Sequence, residues 1–347
     1  MNQTQQTEIK QPGKLLNPDG SLTTAGWSRQ PLLDCNLEDA SFYRLRFLQP
    51  LRIKRWDYYG VFTPTHFFSF TISNIGYLGM IFAYVVDFEK KHYHEETVGV
   101  PFASGVSLPR NSTEGVSLYD NGRVRLQFGV EQGQRRLSAK WPRFEGKGLA
   151  AELNFSLPSE HESMNIVIPI EEKRFYFNRK VNCMPVKGWV EYNDVVYDLT
   201  PETSLGGLDW GRGVWAYSSF WLWASTSGFL ADGRRVGFNM GYGFGDTSAA
   251  SENALILDGC VHKLGQVDFE YDPKDFMKPW TMRSADSRLE LLFEPFLERV
   301  AKTDLRLLRS EVHQMFGRYS GRVRSDTGEL IEVNNLVGFA EEHYARW

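Results

Sequence analysis

Residues 122–132 read GRVRLQFGVEQ, and they decide the fold class because apolar and polar side chains alternate along them. Side chains two residues apart on a strand share a face, so the alternation predicts one buried face and one wet face. The apolar set is Val124, Leu126, Phe128 and Val130. RLELLF (288–293) repeats the period. The pattern is typical of half-buried strands and predicts an all-β protein.

Turn-forming pairs and triplets separate these apolar runs, as expected for hairpins. They are Asp120-Asn121-Gly122, Asn193-Asp194, Asp232-Gly233 and Asp326-Thr327-Gly328. Antiparallel sheets of this kind protect their edges by closing into barrels, and 347 residues suffice for two successive barrels. We expect few short helices. PFLERVAKTDLRLL (295–308) is the main ambiguity, because it suits either a helical turn or two or a loop between strands.

The charge and cysteine content exclude several classes of function. The 39 basic and 43 acidic residues are spread along the chain, so no basic surface for nucleic acid is expected. Three cysteines without a CxxC pair argue against a disulfide framework and structural zinc. The polar N-terminus has no signal-peptide core, and the longest apolar run (74–86) is too short to span a membrane. We therefore expect a cytoplasmic protein without a transmembrane segment.

The segment HYHEE (92–96) suggests a metal site, because two histidines at i and i+2 on a strand share a face. The alternative is a charged surface loop. No third ligand is identifiable from sequence, so no metal is predicted. Phosphate-binding loops are also absent from the sequence, so we expect no cofactor.

Residues 206–225 read GGLDWGRGVWAYSSFWLWAS and hold four tryptophans with only two charged side chains, Asp209 and Arg212. If 214–225 is one strand, three of these tryptophans share a face: Trp215, Trp221 and Trp223. An aromatic stripe of this kind is either a barrel core or the wall of a site for an apolar ligand or a sugar ring.

Two pairs of residues are candidates for acid–base chemistry. A carboxylic acid among apolar side chains holds its proton more tightly and can act as a general acid, whereas an ion pair between Asp209 and Arg212 favours the anion and would fasten a β-bulge. Glu341 and His343, in the terminal segment GFAEEHYARW, present a carboxylate and an imidazole together, or else form a solvated tail.

Several segments together resemble the domain-of-unknown-function 2804 family, over about residues 12–347. They are GWSRQPLLDCNL (26–37), KRWDYYGV (54–61), DWGRG (209–213), FWLWAS (220–225), LADGRRVGFNM (230–240), FGRYSG (316–321) and GFAEEHYARW (338–347). The resemblance adds candidate substrate-binding residues within these segments, namely Trp56, Tyr58, Trp210 and Tyr319.

That family is distantly similar to the paired-lipocalin proteins, which include carotenoid 1,2-hydratase, tocopherol cyclase and fungal Diels-Alderases. Here RWDYYG (55–60), Asp209-Trp210-Gly211, FWLWAS with its Asp-Gly turn, and GFAE (338–341) resemble their motifs in order. The glutamate of their Asp-x-Glu-Trp segment has no counterpart, and Leu222 replaces the aspartate of their Trp-Asp-Trp strand. The resemblance implies the fold rather than their hydration chemistry.

The resemblance implies two lipocalin-like barrels, which we expect at residues 26–248 and 249–347 after a flexible arm at 1–25. The small-residue segment GDTSAASEN (245–253) is the expected linker.

The first functional hypothesis is a catalyst of hydration, cyclisation or isomerisation that holds a hydrophobic molecule, such as an isoprenoid or polyketide, in an aromatic-lined barrel cavity. Asp209 would protonate or orient the substrate, Arg212 would set the charge of Asp209, and Glu341 with His343 would form a second acid–base pair. One alternative is a non-catalytic lipid or pigment carrier. A second is a carbohydrate-active enzyme with sugar rings stacked on the tryptophans.

Overall fold

The computed structural model describes residues 6–131, 133–304 and 309–346, and nearly all of its regular structure is antiparallel β-sheet. Two short 3₁₀ segments interrupt the strands, at Arg46–Arg52 and Phe144–Gly146. The prediction of an all-β fold with few short helices is confirmed. No helix in the described ranges is both long and apolar enough to cross a membrane.

Thirteen strands form the first sheet, and two short strands, β1 and β3, form a small parallel sheet beside it. In chain order the strands are β1 (Gly13–Lys14), β2 (Gly26–Ser28), β3 (Leu33–Asp34), β4 (Ile53–Phe62), β5 (His66–Asn74), β6 (Leu78–Asp87), β7 (His92–Pro101), β8 (Gly115–Asp120), β9 (Arg125–Glu131), β10 (Gln134–Trp141), β11 (Leu149–Ser156), β12 (Met164–Glu171), β13 (Arg174–Tyr192), β14 (Val195–Leu199) and β15 (Leu205–Val214). The order β7-β6-β5-β4-β15-β13-β11-β10-β9-β8 places β15 in the middle of the sheet.

Nine strands form the second sheet, in the order β19-β18-β17-β16-β24-β23-β22-β21-β20. They are β16 (Ser218–Phe229), β17 (Arg235–Tyr242), β18 (Ala254–Leu257), β19 (Cys260–Lys263), β20 (Val267–Glu270), β21 (Trp280–Ser284), β22 (Leu289–Asp304), β23 (Arg309–Arg324) and β24 (Leu330–Arg346). Both sheets are curled and antiparallel, and the predicted architecture of two successive lipocalin-like barrels is confirmed.

The change from one sheet to the other falls at residues 215–217, between β15 and β16. The segment 245–253, which we expected to link two domains, instead joins β17 to β18 within the second sheet. Pairing of β16 with β24 is the physical reason, because it places residues 218–229 in the second sheet. A division into folding units near residue 248 stays a prediction.

Two other local expectations differ from the structure. The segment 295–304 is neither helix nor loop but part of β22, whose backbone groups pair with β23 across a bulge at Pro295; residues 305–308 lie outside the described ranges. Residues 6–25 are packed rather than free, since Leu15 and Leu16 are buried and Thr7 N–H donates to the Ala249 carbonyl at 2.8 Å. Residues 1–5 of the predicted arm also lie outside those ranges.

Separate apolar clusters fill the two barrels, and a third group of aromatic residues joins them. In that joining group Phe67 of β5 lies 5.2 Å from Phe316 of β23, measured between ring centroids. The barrels therefore pack through their outward faces. Beside this contact the two faces separate and leave a cavity.

Candidate functional site

A cavity of about 740 Å³ lies between the outward faces of the two sheets. On β4, Trp56 and Tyr58 line the cavity, whereas Tyr59 belongs to the core of the first barrel. On β16, Trp223 lines it and Leu222 belongs to the second core. The sequence predicted a cavity inside a barrel. The structure places it between the barrels, because large apolar clusters occupy most of both interiors.

Aromatic side chains form one wall of the cavity through edge-to-face contacts. Trp215 is central to them, with ring centroids 5.1 Å from Trp56, 5.7 Å from Trp221 and 4.8 Å from Phe244. Trp215 lies in the link 215–217 and not on the single strand that we predicted for 214–225. The tryptophans still line the same cavity, since the link brings Trp215 beside the face of β16.

Asp209 lies on the wall that the first sheet contributes, directly across from Tyr58 on β4 and Lys180 on β13. Its Oδ2 accepts a hydrogen bond from Lys180 Nζ at 2.7 Å. Its Oδ1 accepts from Trp56 Nε1 at 3.0 Å and from Asn178 Nδ2 at 2.5 Å. All three donors are N–H groups, and the Asp209 side chain that accepts from them is in a residue only 8% exposed.

The Lys180 ammonium connects Asp209 to two further groups of the cavity. Its Nζ lies 3.7 Å from Glu252 Oε2 and 3.8 Å from the centroid of the Trp223 ring. The Trp223 indole N–H in turn donates to Asn239 Oδ1 at 2.8 Å. These contacts fix the orientation of Trp223 and keep the Lys180 charge against an aromatic face.

Glu341 and His343 lie on β24, on the wall that the second sheet contributes. On the neighbouring strand β16, Trp223 is paired with Glu341 and Trp221 with His343. Glu341 accepts hydrogen bonds from Trp221 Nε1 at 3.2 Å and Gln314 Nε2 at 3.0 Å. Burial raises the pKa of Glu341 to about 7, and the negative charge of Asp209 acts in the same direction. At neutral pH a large share of Glu341 is therefore protonated.

The imidazole of His343 contacts the Trp221 ring, with centroids 3.9 Å apart, and its Nε2 lies 2.9 Å from Ser310 Oγ. Burial lowers the pKa of His343 to about 3, and the positive charge of Arg299 adds to the effect. The side chain is therefore neutral at physiological pH.

A hydrogen-bonded chain supports Glu341 from behind. Gln314 Oε1 accepts from Tyr84 Oη at 3.0 Å and from Arg299 Nη1 at 3.2 Å. Tyr84 is 2.8 Å from the hydroxyl of Tyr58, which lines the cavity. Since the Tyr84 hydroxyl donates to Gln314, Tyr58 donates to Tyr84, and the chain links the two walls.

Three of the residues that sequence analysis proposed for the site lie away from the cavity. Side chains at i and i+3 of a strand lie on opposite faces, so Arg212 faces the first barrel interior, where its Nη1 is 2.9 Å from Asp57 Oδ1. It forms no ion pair with Asp209, which pairs with Lys180. Trp210 packs under Arg212 in the same interior, and Tyr319 lies in the second core with its hydroxyl bonded to the Phe339 carbonyl.

The segment 92–96 belongs to β7, where Glu95 pairs with Arg299 and His94 lies 3.2 Å from Glu96. Within the described ranges, no group of three or more His, Cys, Asp and Glu side chains has an arrangement suited to a metal ion. The charged segment is thus accounted for by strand pairing and ion pairs.

Sequence reasoning missed Lys180 and Arg299, which line the cavity, and Gln314, which donates to Glu341 from behind it. Each sits on a strand far along the chain from Asp209 or Glu341, so only strand pairing brings them together. Lys54 was missed too; it lines the cavity, donates to the Ile75 carbonyl at 2.6 Å, and has its pKa lowered to about 7 by burial. A basic pair in a strand of mostly apolar residues, as at Lys54-Arg55 and Arg179-Lys180, was the available signal.

The fold is shared with two solved structures. The crystal structure of CghA matches with a TM-score of 0.53 and 10% identity, covering 97% of each chain. Kievitone hydratase from Nectria haematococca matches with a TM-score of 0.51 and 9% identity, covering 97% of this chain and 98% of that one. These similarities confirm the predicted likeness in fold to the lipocalin-like hydratase and cyclase group. No curated protein matches the sequence. A family model, described as a domain of unknown function, matches residues 6–347, and the chain therefore belongs to the DUF2804 family.

Proposed function

We propose that the protein is an enzyme that transfers protons to and from a hydrophobic small molecule held between its two barrels. Hydration, cyclisation and isomerisation of an alkene are the reaction classes that such a site suits. The observation that carries the proposal is the contrast between two carboxyl groups of one cavity. Burial raises the pKa of Glu341 to about 7, whereas Asp209 forms an ion pair with Lys180 and accepts hydrogen bonds from two further N–H groups.

The contrast assigns different roles to the two groups. Pairs of carboxyl groups in contrasting surroundings are typical of acid–base catalysis. Glu341 would donate the proton, and Asp209 would accept one or orient an attacking water. The face of Trp221 would stabilise positive charge that develops on the substrate. His343, being neutral and in contact with Trp221, would position the ring rather than transfer a proton.

The comparisons support the proposal only through the fold. Kievitone hydratase bears the name of an enzyme that adds water, and at 9% identity its likeness to this chain extends to the architecture alone. The aromatic side chains of the cavity support a ligand with a large apolar surface. The lining also carries many polar and charged side chains, so such a ligand would have polar groups as well.

The test begins with the small molecules that the protein retains when it is purified from its native host, identified by mass spectrometry. Each retained compound is then incubated with the protein in D₂O. Protonation of an alkene by the enzyme places deuterium on carbon, and so does isomerisation through an exchangeable proton. We expect a deuterated product from the wild-type protein.

Two variants on β24 assign the activity to the cavity. Glu341→Gln should lower the rate by about 100-fold or more, the usual contribution of a positioned acid, while ligand binding measured by tryptophan fluorescence persists. Glu332→Gln, on the exposed face of the same strand, should behave as wild type. A retained compound that is recovered unchanged and unlabelled would overturn the proposal in favour of a carrier.

A further inference from the structure

The interior of the first barrel holds more positive than negative charge. Three arginines there, Arg135, Arg179 and Arg212, are 2%, 5% and 1% exposed. Arg212 has a counter-ion in Asp57, at 2.9 Å. Within residues 6–131, 133–304 and 309–346, neither Arg135 nor Arg179 has a carboxylate within 4 Å. Burying a cation without a counter-ion lowers the stability of the fold. A ligand of negative charge would offset that cost for these two side chains.

The partners of the two guanidinium groups are neutral. Arg135 donates to the Tyr59 hydroxyl at 3.0 Å, and burial raises the pKa of that phenol, which keeps it uncharged. Arg179 donates to Ser163 Oγ at 3.1 Å and to Ser112 Oγ at 3.3 Å. Both guanidinium groups also donate to the carbonyl oxygen of Ser112. Two like charges thus share a single acceptor.

A small cavity of about 150 Å³ opens beside Arg179, away from the large cavity between the barrels. Trp210, which is 2% exposed, lines it too, and its indole N–H has no acceptor among the described residues. Asn111, Ser112, Thr113 and Asn165 complete the polar part of the lining. A water molecule occupies about 30 Å³ in the liquid, so the cavity could hold several water molecules. An ion of phosphate size, which is only a few times larger than water, therefore fits in it.

One acidic residue, Asp34, also lines this small cavity, and it shares the counter-ion Arg110 with Asp39. Asp34 accepts hydrogen bonds from Arg110 Nε at 2.7 Å, from Arg110 Nη2 at 2.5 Å and from Asn111 Nδ2 at 3.1 Å. These donors lower the pKa of Asp34, with the Arg110 hydrogen bond as the main cause. Arg179, by contrast, has no carboxylate partner among the described residues and lines the cavity.

We propose that this cavity binds a small oxyanion, a phosphate or the carboxylate of a small organic acid, on the guanidinium of Arg179 and the indole N–H of Trp210. Guanidinium groups bind both kinds of anion through two parallel hydrogen bonds. The charge of Arg135 behind Arg179 adds to the attraction. The site is separate from the cavity of the proposed enzyme and does not depend on that proposal.

Isothermal titration calorimetry with inorganic phosphate, sulfate and acetate tests the site, in chloride buffer at constant ionic strength. We expect the wild-type protein to bind at least one of the three, and the preferred anion distinguishes a phosphate site from a carboxylate site. Arg179→Gln should weaken binding by about tenfold or more. Arg283→Gln, an exposed arginine of the second barrel, should leave the affinity unchanged.

A second measurement needs only the wild-type fold. The ¹⁵N–¹H resonance of the Trp210 indole, assigned with Trp210→Phe, should shift as the bound anion is added. The proposal is overturned if none of the three anions binds, if the Trp210 resonance does not move on titration, or if Arg179→Gln binds as tightly as wild type.

Discussion

Glu341 and His343 lie two residues apart on the cavity face of β24, and burial shifts their pKa values in opposite directions. The pKa of Glu341 rises to about 7 and that of His343 falls to about 3. Both shifts favour the uncharged side chain, because transfer from water to an apolar wall penalises charge. The facing wall differs, since there the Asp209 carboxylate and the Lys180 ammonium lie together as a buried ion pair.

The raised pKa of Glu341 predicts a pH-dependent contribution to stability. The folded protein holds a proton that the unfolded chain releases above its usual pKa of 4.5. This contribution is complete below pH 4.5 and is lost as the pH rises through about 7. Between pH 4.5 and pH 8, we expect the free energy of unfolding of wild type to fall by up to about 3 kcal/mol relative to that of Glu341→Gln.

Urea denaturation of both proteins at the two pH values measures this difference. Glu332→Gln, the exposed control on the same strand, should follow wild type at both values. A difference between wild type and Glu341→Gln that stays constant with pH would contradict the raised pKa.

The buried pair of Asp209 and Lys180 should be worth far more than an exposed pair with the same separation. Asp209→Asn leaves the Lys180 ammonium buried without its main partner, and we expect a loss of about 3–5 kcal/mol in the free energy of unfolding. Asp272 and Lys278 are also 2.7 Å apart but are 35% and 57% exposed. Asp272→Asn should therefore cost at most about 1 kcal/mol.

Denaturant titration of the two variants at pH 7 makes the comparison. Equal losses would show that burial does not set the strength of the Asp209 contact.

Local pattern was enough to predict many of the strands and three tryptophans of the aromatic wall, Trp215, Trp221 and Trp223, because alternation and turn residues lie within a few positions of one another. Contacts between side chains on different strands could not be predicted from local pattern. Asp209 bonds to Lys180, 29 residues earlier, and Glu341 bonds to Gln314 on β23. Which residues face each other depends on strand register and on how two barrels pack, and neither leaves a trace in the local sequence. The ion pair considered between Asp209 and Arg212 failed for a local reason, because side chains three residues apart on one strand lie on opposite faces.

Arg212 should affect stability without affecting the cavity between the barrels. Arg212→Gln would leave Asp57 buried without its charge partner, with an expected loss of about 3–5 kcal/mol in the free energy of unfolding. Because Arg212 faces the barrel interior, the folded variant should bind a retained ligand with wild-type affinity. Fluorescence titration at a temperature where the variant is folded checks this. A large loss of affinity would show that the first barrel core and the cavity are coupled.

Gly211 is the position where a single added methyl group should disturb the aromatic wall. A Cβ there would lie 1.9 Å from Trp56 Cζ2, so Gly211→Ala must displace the indole that donates to Asp209. We expect a loss of about 1–3 kcal/mol in the free energy of unfolding and weaker ligand binding. Gly129 is also in a strand of the first sheet, but a Cβ there meets nothing within 4 Å. Gly129→Ala should therefore keep wild-type ligand affinity and stability. Denaturation and fluorescence titration of both variants measure the difference. If the two variants behave alike, the close packing of Trp56 on Gly211 does not hold the wall in place.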